Sequence, residues 1–408
     1  MISRGKEVLS KYFTYRRLSE SDRERLFEVN IGPQHPASGH MRIIVRLDGD
    51  LIRDAEPDIG YVHRSMEKLA ENMEYIKAQM LFERAAILDS CNITLGYIRA
   101  LEKLLGVEAP PRAKYLRTLL CEIDRIASHL YGFGIGSIML NHSTMYMWSF
   151  GLRELWVQLA EDLSGARLTH AYNIPGGVRA DLPKGFKENA DKAIKYTKKV
   201  LKDMMRIFFN NPNIRSRLEG VGVLRREDAI RLGIVGPNLR ASGVRYDARL
   251  VEGYGAYSEL EFEVPVRKEG DCLARYLLRV DEIEQSMRII KQALKDIPEG
   301  RLLCDEFYNK LSPSAKKLME GKRFVKFPAA FVTLKPEAGE ATARVEMGHG
   351  EVFYHLISDG SQRPYRVRVV TPSFRNLILF RHLSIGERFM DIPAIYGSLD
   401  YFPPEADR

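Results

Sequence analysis

Pro110-Pro111 is followed by Leu116, Leu119, Leu120, Ile123, Ile126, Ala127 and Leu130, apolar residues that recur at helical spacing and so share one face. Proline is tolerated in the first turn of a helix and nowhere deeper, so the pair marks a start. An apolar face of that length must be covered by other elements, which predicts a long central helix inside a bundle. Residues 185–210 and 274–297 carry further apolar stripes with basic or mixed outer faces, and helical spacing also follows Gly60.

The two ends read differently. Residues 27–51 alternate apolar and polar through Ile43, Val45 and Leu47 into Asp48-Gly49-Asp50, a hairpin signal. The final hundred residues hold short β-rich stretches at 329–334, 343–347, 352–357 and 365–370, divided by Gly, Pro and Asp. The expected class is α+β, mainly helical: a central long-helix bundle flanked by small α+β lobes. The expected divisions are residues 1–60, 61–300 and 301–408, packed as one body, since no repeat or low-complexity linker separates them.

Composition narrows the chemistry. The apolar stretch 131–159 is interrupted by Asn141, His142, Arg153 and Glu154, short of a membrane span, and the basic start lacks the apolar core of a secretion signal. Cys91, Cys121, Cys272 and Cys304 form no CxxC pair, so no cluster or metal is expected in this chain, and buried thiols in a reducing cytoplasm are the plain reading. The net charge of +8 suits acidic partners or anionic headgroups. Nucleic acid is not expected, because the basic residues sit beside acidic ones (Lys198, Lys199, Lys202, Asp203) with no aromatic interleaving. Met139 to Met147 reads as core.

A series of motifs carries a family resemblance. Gly32-Pro33-Gln34-His35-Pro36 precedes Gly60-Tyr61-Val62-His63-Arg64 and Glu67-Lys68-Leu69. Pro110-Pro111-Arg112-Ala113, Arg125-Ile126-Ala127-Ser128-His129-Leu130 and Pro175-Gly176-Gly177-Val178-Arg179 follow, the last before Asp181-Leu182-Pro183. Gly236-Pro237-Asn238-Leu239-Arg240-Ala241-Ser242-Gly243, Ser358-Asp359-Gly360-Ser361 and Arg363-Pro364-Tyr365-Arg366 complete the order. From about residue 30 onward the chain resembles the 49 kDa-type subunit of respiratory complex I and the large subunits of group 4 nickel-iron hydrogenases.

The resemblance implies a helical bundle docked on a small subunit that carries an iron–sulfur cluster, with the active cavity between them. Hydrogenases of this kind hold nickel and iron by four thiolates; here those positions fall on Ala86, Asp89, Phe402 and Glu405, so no nickel–iron centre is expected. Nor is a tail of the kind removed during nickel insertion expected after Arg408. The quinone-binding tyrosine of the complex I subunit falls on Ile87. Its partner histidine corresponds to His40, which follows Pro-Gln-His-Pro after three residues instead of two, and the histidine beside the proximal cluster falls on Thr169, next to His170. Both absences fit a third branch, the membrane-bound sulfane sulfur reductases of sulfur-metabolising archaea. The implied role is an active-site-lining oxidoreductase subunit on the cytoplasmic face of the membrane, joined to ion-pumping membrane subunits and acting on sulfane sulfur or polysulfide. Quinone or phenazine reduction, and a non-catalytic docking subunit, are the alternatives.

The candidate catalytic residues are His40, Glu83, Arg84, Asp89 and Glu405. Arg84 would attract a sulfur chain and stabilise a departing thiolate, with Glu83 orienting it; the plain reading is a local ion pair on a solvated helix face. His40 would donate a proton, or simply hydrogen-bond within its loop. Asp89 and Glu405 would converge at the vacated metal position and raise each other's proton affinity, or fill it structurally. His63, Arg64 and His170 are expected to face the neighbouring subunit's cluster, with an ordinary interface role as the alternative. Glu346, His349 and Glu351 read as structural.

Overall fold

A computed structural model describes residues 25–35, 39–320 and 334–408. At the N-terminal end, β1 (Phe27–Ile31), β2 (Arg42–Asp48) and β3 (Leu51–Asp58) form an antiparallel sheet in that order. Ile43, Val45 and Leu47 face the core, and Asp48 pairs with Leu51, so the turn falls on Gly49-Asp50 as the sequence predicts.

The centre is helical: α1 (Tyr75–Glu83), α2 (Ser90–Leu105), α3 (Pro111–Met139), α4 (Ser143–Ser164), α5 (Phe186–Met204) and α6 (Cys272–Asp296). Shorter helical turns are named below by their residues. The predicted stripe buries completely, with Leu116, Leu119, Leu120, Ile123, Ile126 and Leu130 all fully covered. α3 packs against α4, α6 and the helix Ile392–Leu399, the central position that its apolar face demands. The expectation that 139–147 is core holds fully for Met145, whereas α3 and α4 meet at a corner there and leave Met147 and the adjacent Trp148 exposed.

Between α4 and α5, β4 (Asn173–Ile174) and β5 (Gly177–Val178) make a small hairpin. A Cβ on Gly177 would stand 2.0 Å from the Leu302 carbonyl oxygen, which explains the glycine there. Near the C-terminus, β6 (Gly339–Met347), β7 (Gly350–Ser358) and β8 (Arg366–Val370) form an antiparallel sheet packed on α2. The strands expected at 343–347, 352–357 and 365–370 are present; most of that expected at 329–334 lies outside the described residues. One contiguous apolar core runs from the first sheet through the bundle into the last.

The sequence motifs act as clamps between these parts. Arg112 grips Asp181 with contacts from 2.6 to 3.2 Å, joining two of them. Arg366 reaches Glu67 at 3.0 Å and Glu71 at 2.7 Å. Beneath them is a buried charge network in which Arg240 binds Glu282 and Glu346, while Arg249 binds Asp247 and Glu122. Opposite charges buried together satisfy one another, and removal of one leaves its partner stranded. Among the described residues no helix is long and apolar enough to cross a membrane.

Candidate active site

The site forms where α1 ends, α2 begins, and two distant segments arrive. Asp89 stands at the N-cap position of α2 but does not cap it. Its Oδ2 accepts from the Gly348 amide at 2.6 Å and its Oδ1 from Asn92 Nδ2 at 2.6 Å, so a residue placed to close a helix instead holds the β6–β7 turn. That turn is Gly348-His349, between the paired residues Met347 and Gly350. Arg125 of α3 binds the carbonyls of Glu346 and Met347 at 2.7 and 2.9 Å. Gly236, at φ +71°, presses on the Gly350 backbone so closely that a Cβ would lie 2.3 Å from its Cα.

The turn thereby fixes His349. Its Nδ1 donates to Glu405 Oε2 at 2.7 Å, and Glu405 Oε1 accepts from the Ser373 amide at 2.9 Å. Asp400 Oδ2 is 3.7 Å from His349 Nε2, and the Phe402 ring stacks beside the imidazole at 6.3 Å between centroids. Burial opposes charge on this ring, but Glu405 and Asp400 together raise its pKa to about 9. Asp89 and Glu405 therefore do converge, joined through Gly348 and His349 instead of facing each other. Burial, with the nearby Asp124 carboxylate, raises Asp89 to about 6.

On the other side of Asp89, Asp124 of α3 accepts from the Cys91 amide at 2.9 Å and from His170 Nε2 at 2.8 Å. Thr169 and Ala171, which flank His170, both adopt positive φ, at +50° and +43°. Such backbone costs on the order of 1–3 kcal/mol per residue and persists where surroundings impose it. Here Asp124 holds the ring between them, and Glu83 accepts a hydrogen bond from the Ala171 amide. Burial raises Glu83 to about 7. Burial also works against a charged His170, which Asp124 outweighs, so its pKa is raised.

Two expected placements need correction. Arg84 does not line an enclosed cavity in this chain: it is exposed and turns back to the Met80 carbonyl at 3.1 Å, because it caps the last turn of α1 on the solvent side. His170 does not share an outer face with His63 and Arg64, since those two are exposed on the loop before Met66 while His170 is buried against Asp124. His349, read as structural, is buried and hydrogen-bonded to Glu405. A histidine in a two-residue turn between glycines was the available signal, but only the fold shows that Glu405 meets it. His40 is exposed, next to the fully buried Met41.

A small cavity adjoins His349, lined also by Met41, Phe380, Leu399, Asp400 and Tyr401. Asp400 Oδ2 is ion-paired there with Arg279 Nε at 3.4 Å, and the Tyr401 hydroxyl is buried without a hydrogen-bond partner. The four positions that would carry nickel-binding thiolates do not suit that metal: Ala86 and Phe402 offer no ligand atom, and Asp89 and Glu405 are committed to Gly348, His349 and Ser373.

Residues 140–408 match the family model described as respiratory-chain NADH dehydrogenase, 49 Kd subunit. The chain belongs to this family. A D-type subunit of the NADH-quinone oxidoreductase of Thermodesulfovibrio yellowstonii is 37% identical over 389 residues, covering 94% of this chain and 97% of the relative. The corresponding NADH-quinone oxidoreductase subunit of Desulforamulus reducens is 38% identical over 382 residues, covering 93% and 98%. Among solved structures, a chain of the membrane-bound sulfane sulfur reductase, an archaeal respiratory membrane complex, superposes with a TM-score of 0.85 at 36% identity, covering 94% of this chain and 99% of that one. The expected mainly helical α+β fold of the 49 kDa superfamily is thus the fold observed.

Proposed function

We propose that this chain is the active-site-lining large subunit of a membrane-bound, ion-translocating redox complex that reduces sulfane sulfur or polysulfide. Electrons would arrive from an iron–sulfur cluster in a neighbouring small subunit, met by the exposed loop of His63 and Arg64. Membrane-arm subunits would move the ions, with this chain on the cytoplasmic face. The observation that carries the reading is the loss of the hydrogenase ligand set: Ala86, Asp89, Phe402 and Glu405 stand where thiolates would hold nickel and iron. Ile87, where the complex I subunit has its quinone-binding tyrosine, offers no hydrogen bond to a headgroup. The similarity to a chain of the sulfane sulfur reductase supports the same assignment.

Quinone or phenazine reduction is the second reading. The names of the curated relatives favour it, as does the unpartnered Tyr401 hydroxyl, a donor at the cavity wall. The purified complex should be assayed with hydrogen, quinone and polysulfide side by side. Turnover of polysulfide alone is expected; turnover of quinone alone would replace the reading, and silence with all three would favour a docking role without catalysis. Elemental analysis is expected to find iron and no stoichiometric nickel.

A further inference from the structure

We propose that the groove between α5 and α6 seats an acidic segment of a neighbouring subunit, held by Lys198 and Lys202 from one wall and Lys291 from the other. α5 carries six lysines, all exposed, and none has a carboxylate partner among the described residues. Other helical lysines of this chain do find one, as in Lys68–Glu71 at 2.5 Å and Lys77–Glu74 at 2.9 Å. Asp203, next to Lys202, goes to Arg206 instead. Like charges spaced along one helix repel one another, and no contact within the chain offsets that repulsion on α5.

Helical spacing sorts these lysines. Lys198 and Lys202 lie one turn apart and line the groove above Ile194, Leu201 and Met205, whereas Lys192 and Lys199 lie outside it. On the α6 side, Glu261 is engaged by Arg288 at 3.8 Å, which leaves Glu284 as the unpaired carboxylate of the lining against three unpaired lysines. The groove holds about 890 Å³. A helix roughly 10 Å across rises 5.4 Å per turn, so the space takes about two turns of one.

A carboxylate-rich segment with its acidic side toward α5 complements this balance of charge. A layer of anionic headgroups does not, because a flat surface would meet the lysines outside the groove as readily as those within it. The proposal rests on this chain's place in a multi-subunit complex and not on which acceptor that complex reduces.

The test uses the purified complex in detergent. Its lysines are acetylated with limiting reagent and read by peptide mapping, and carbodiimide cross-linking is run in parallel. Lys198, Lys202 and Lys291 should be acetylated more slowly than Lys192 and Lys199, and should cross-link to Asp or Glu of another subunit. The double variant Lys198→Glu, Lys202→Glu should bind that subunit about tenfold more weakly, since two attractions become repulsions. Both side chains are exposed and unpaired, so the variant should fold as the parent does, which circular dichroism checks. Equal acetylation inside and outside the groove, cross-links confined to this chain, or unchanged binding in the folded double variant would each overturn the proposal. Protection that appears only in vesicles containing phosphatidylglycerol would overturn it as well, and would assign the groove to lipid headgroups.

Discussion

Asp89 and Gly348 are 259 positions apart in sequence and share a hydrogen bond of 2.6 Å between the carboxylate and the amide. Both ends are buried, and the same carboxylate holds Asn92. Asp89→Ala would strand the Gly348 amide and the Asn92 side chain in a place without solvent. A buried donor left unpaired costs about 1–3 kcal/mol, so the variant complex should dissociate or unfold several degrees below the parent. Differential scanning fluorimetry of the purified complex gives the answer, and an unchanged midpoint would refute this account of the bond. Asp89→Asn retains an acceptor oxygen for Gly348 and should lose less.

Arg84→Met should leave stability within about 0.5 kcal/mol of the parent, because the side chain is exposed and hydrogen-bonds within its own helix. Polysulfide turnover should fall by about two- to tenfold, less than the hundredfold loss typical of a buried preorganised contact, since solvent screens this charge. A hundredfold loss with assembly intact would mean that a neighbouring subunit encloses Arg84.

Burial raises the thiol pKa of Cys91, Cys121 and Cys272, and only Cys304 is partly open. Thiolate is the reactive form, so access and ionisation both protect the first three. With maleimide on the native protein, Cys304 should be labelled first and the others only after denaturation, as peptide mapping would report. Early modification of Cys91 or Cys121, whose sulfurs lie 3.4 Å apart, would contradict the packing of α2 on α3.

The parts of this protein legible in its sequence are those fixed by local rules. The stripe from Leu116 to Leu130 announces α3, and Asp48-Gly49-Asp50 announces the first hairpin, because periodicity and turn chemistry are properties of neighbouring residues. The site is legible only in part. Asp89 and Glu405 are found through the resemblance, but their connection depends on a turn that neither adjoins in sequence. His349 reads as a loop histidine until Glu405 is placed 2.7 Å from it, and His170 reads as an interface residue until Asp124 is placed 2.8 Å from it. Tertiary charge pairing leaves no periodic trace.

Glu83 offers a test of that buried polarity through pH. Burial raises its pKa to about 7, above the usual carboxylate value of 4.5, so the folded protein holds its proton more tightly than the unfolded chain. The contribution of this group to stability is therefore greatest below about pH 4.5, declines as pH rises through the interval up to about 7, and stays at its lower level above that. Glu83→Gln keeps an oxygen that can accept from the Ala171 amide and has no proton to lose. Relative to the variant, the parent should become progressively less stable between pH 5 and pH 8, by on the order of 1–3 kcal/mol across the range. Thermal midpoints of both complexes, measured at half-unit intervals, provide the comparison. A difference that does not change with pH would mean that Glu83 is already ionised at pH 5, and that the Ala171 amide and the charged His170 outweigh its burial.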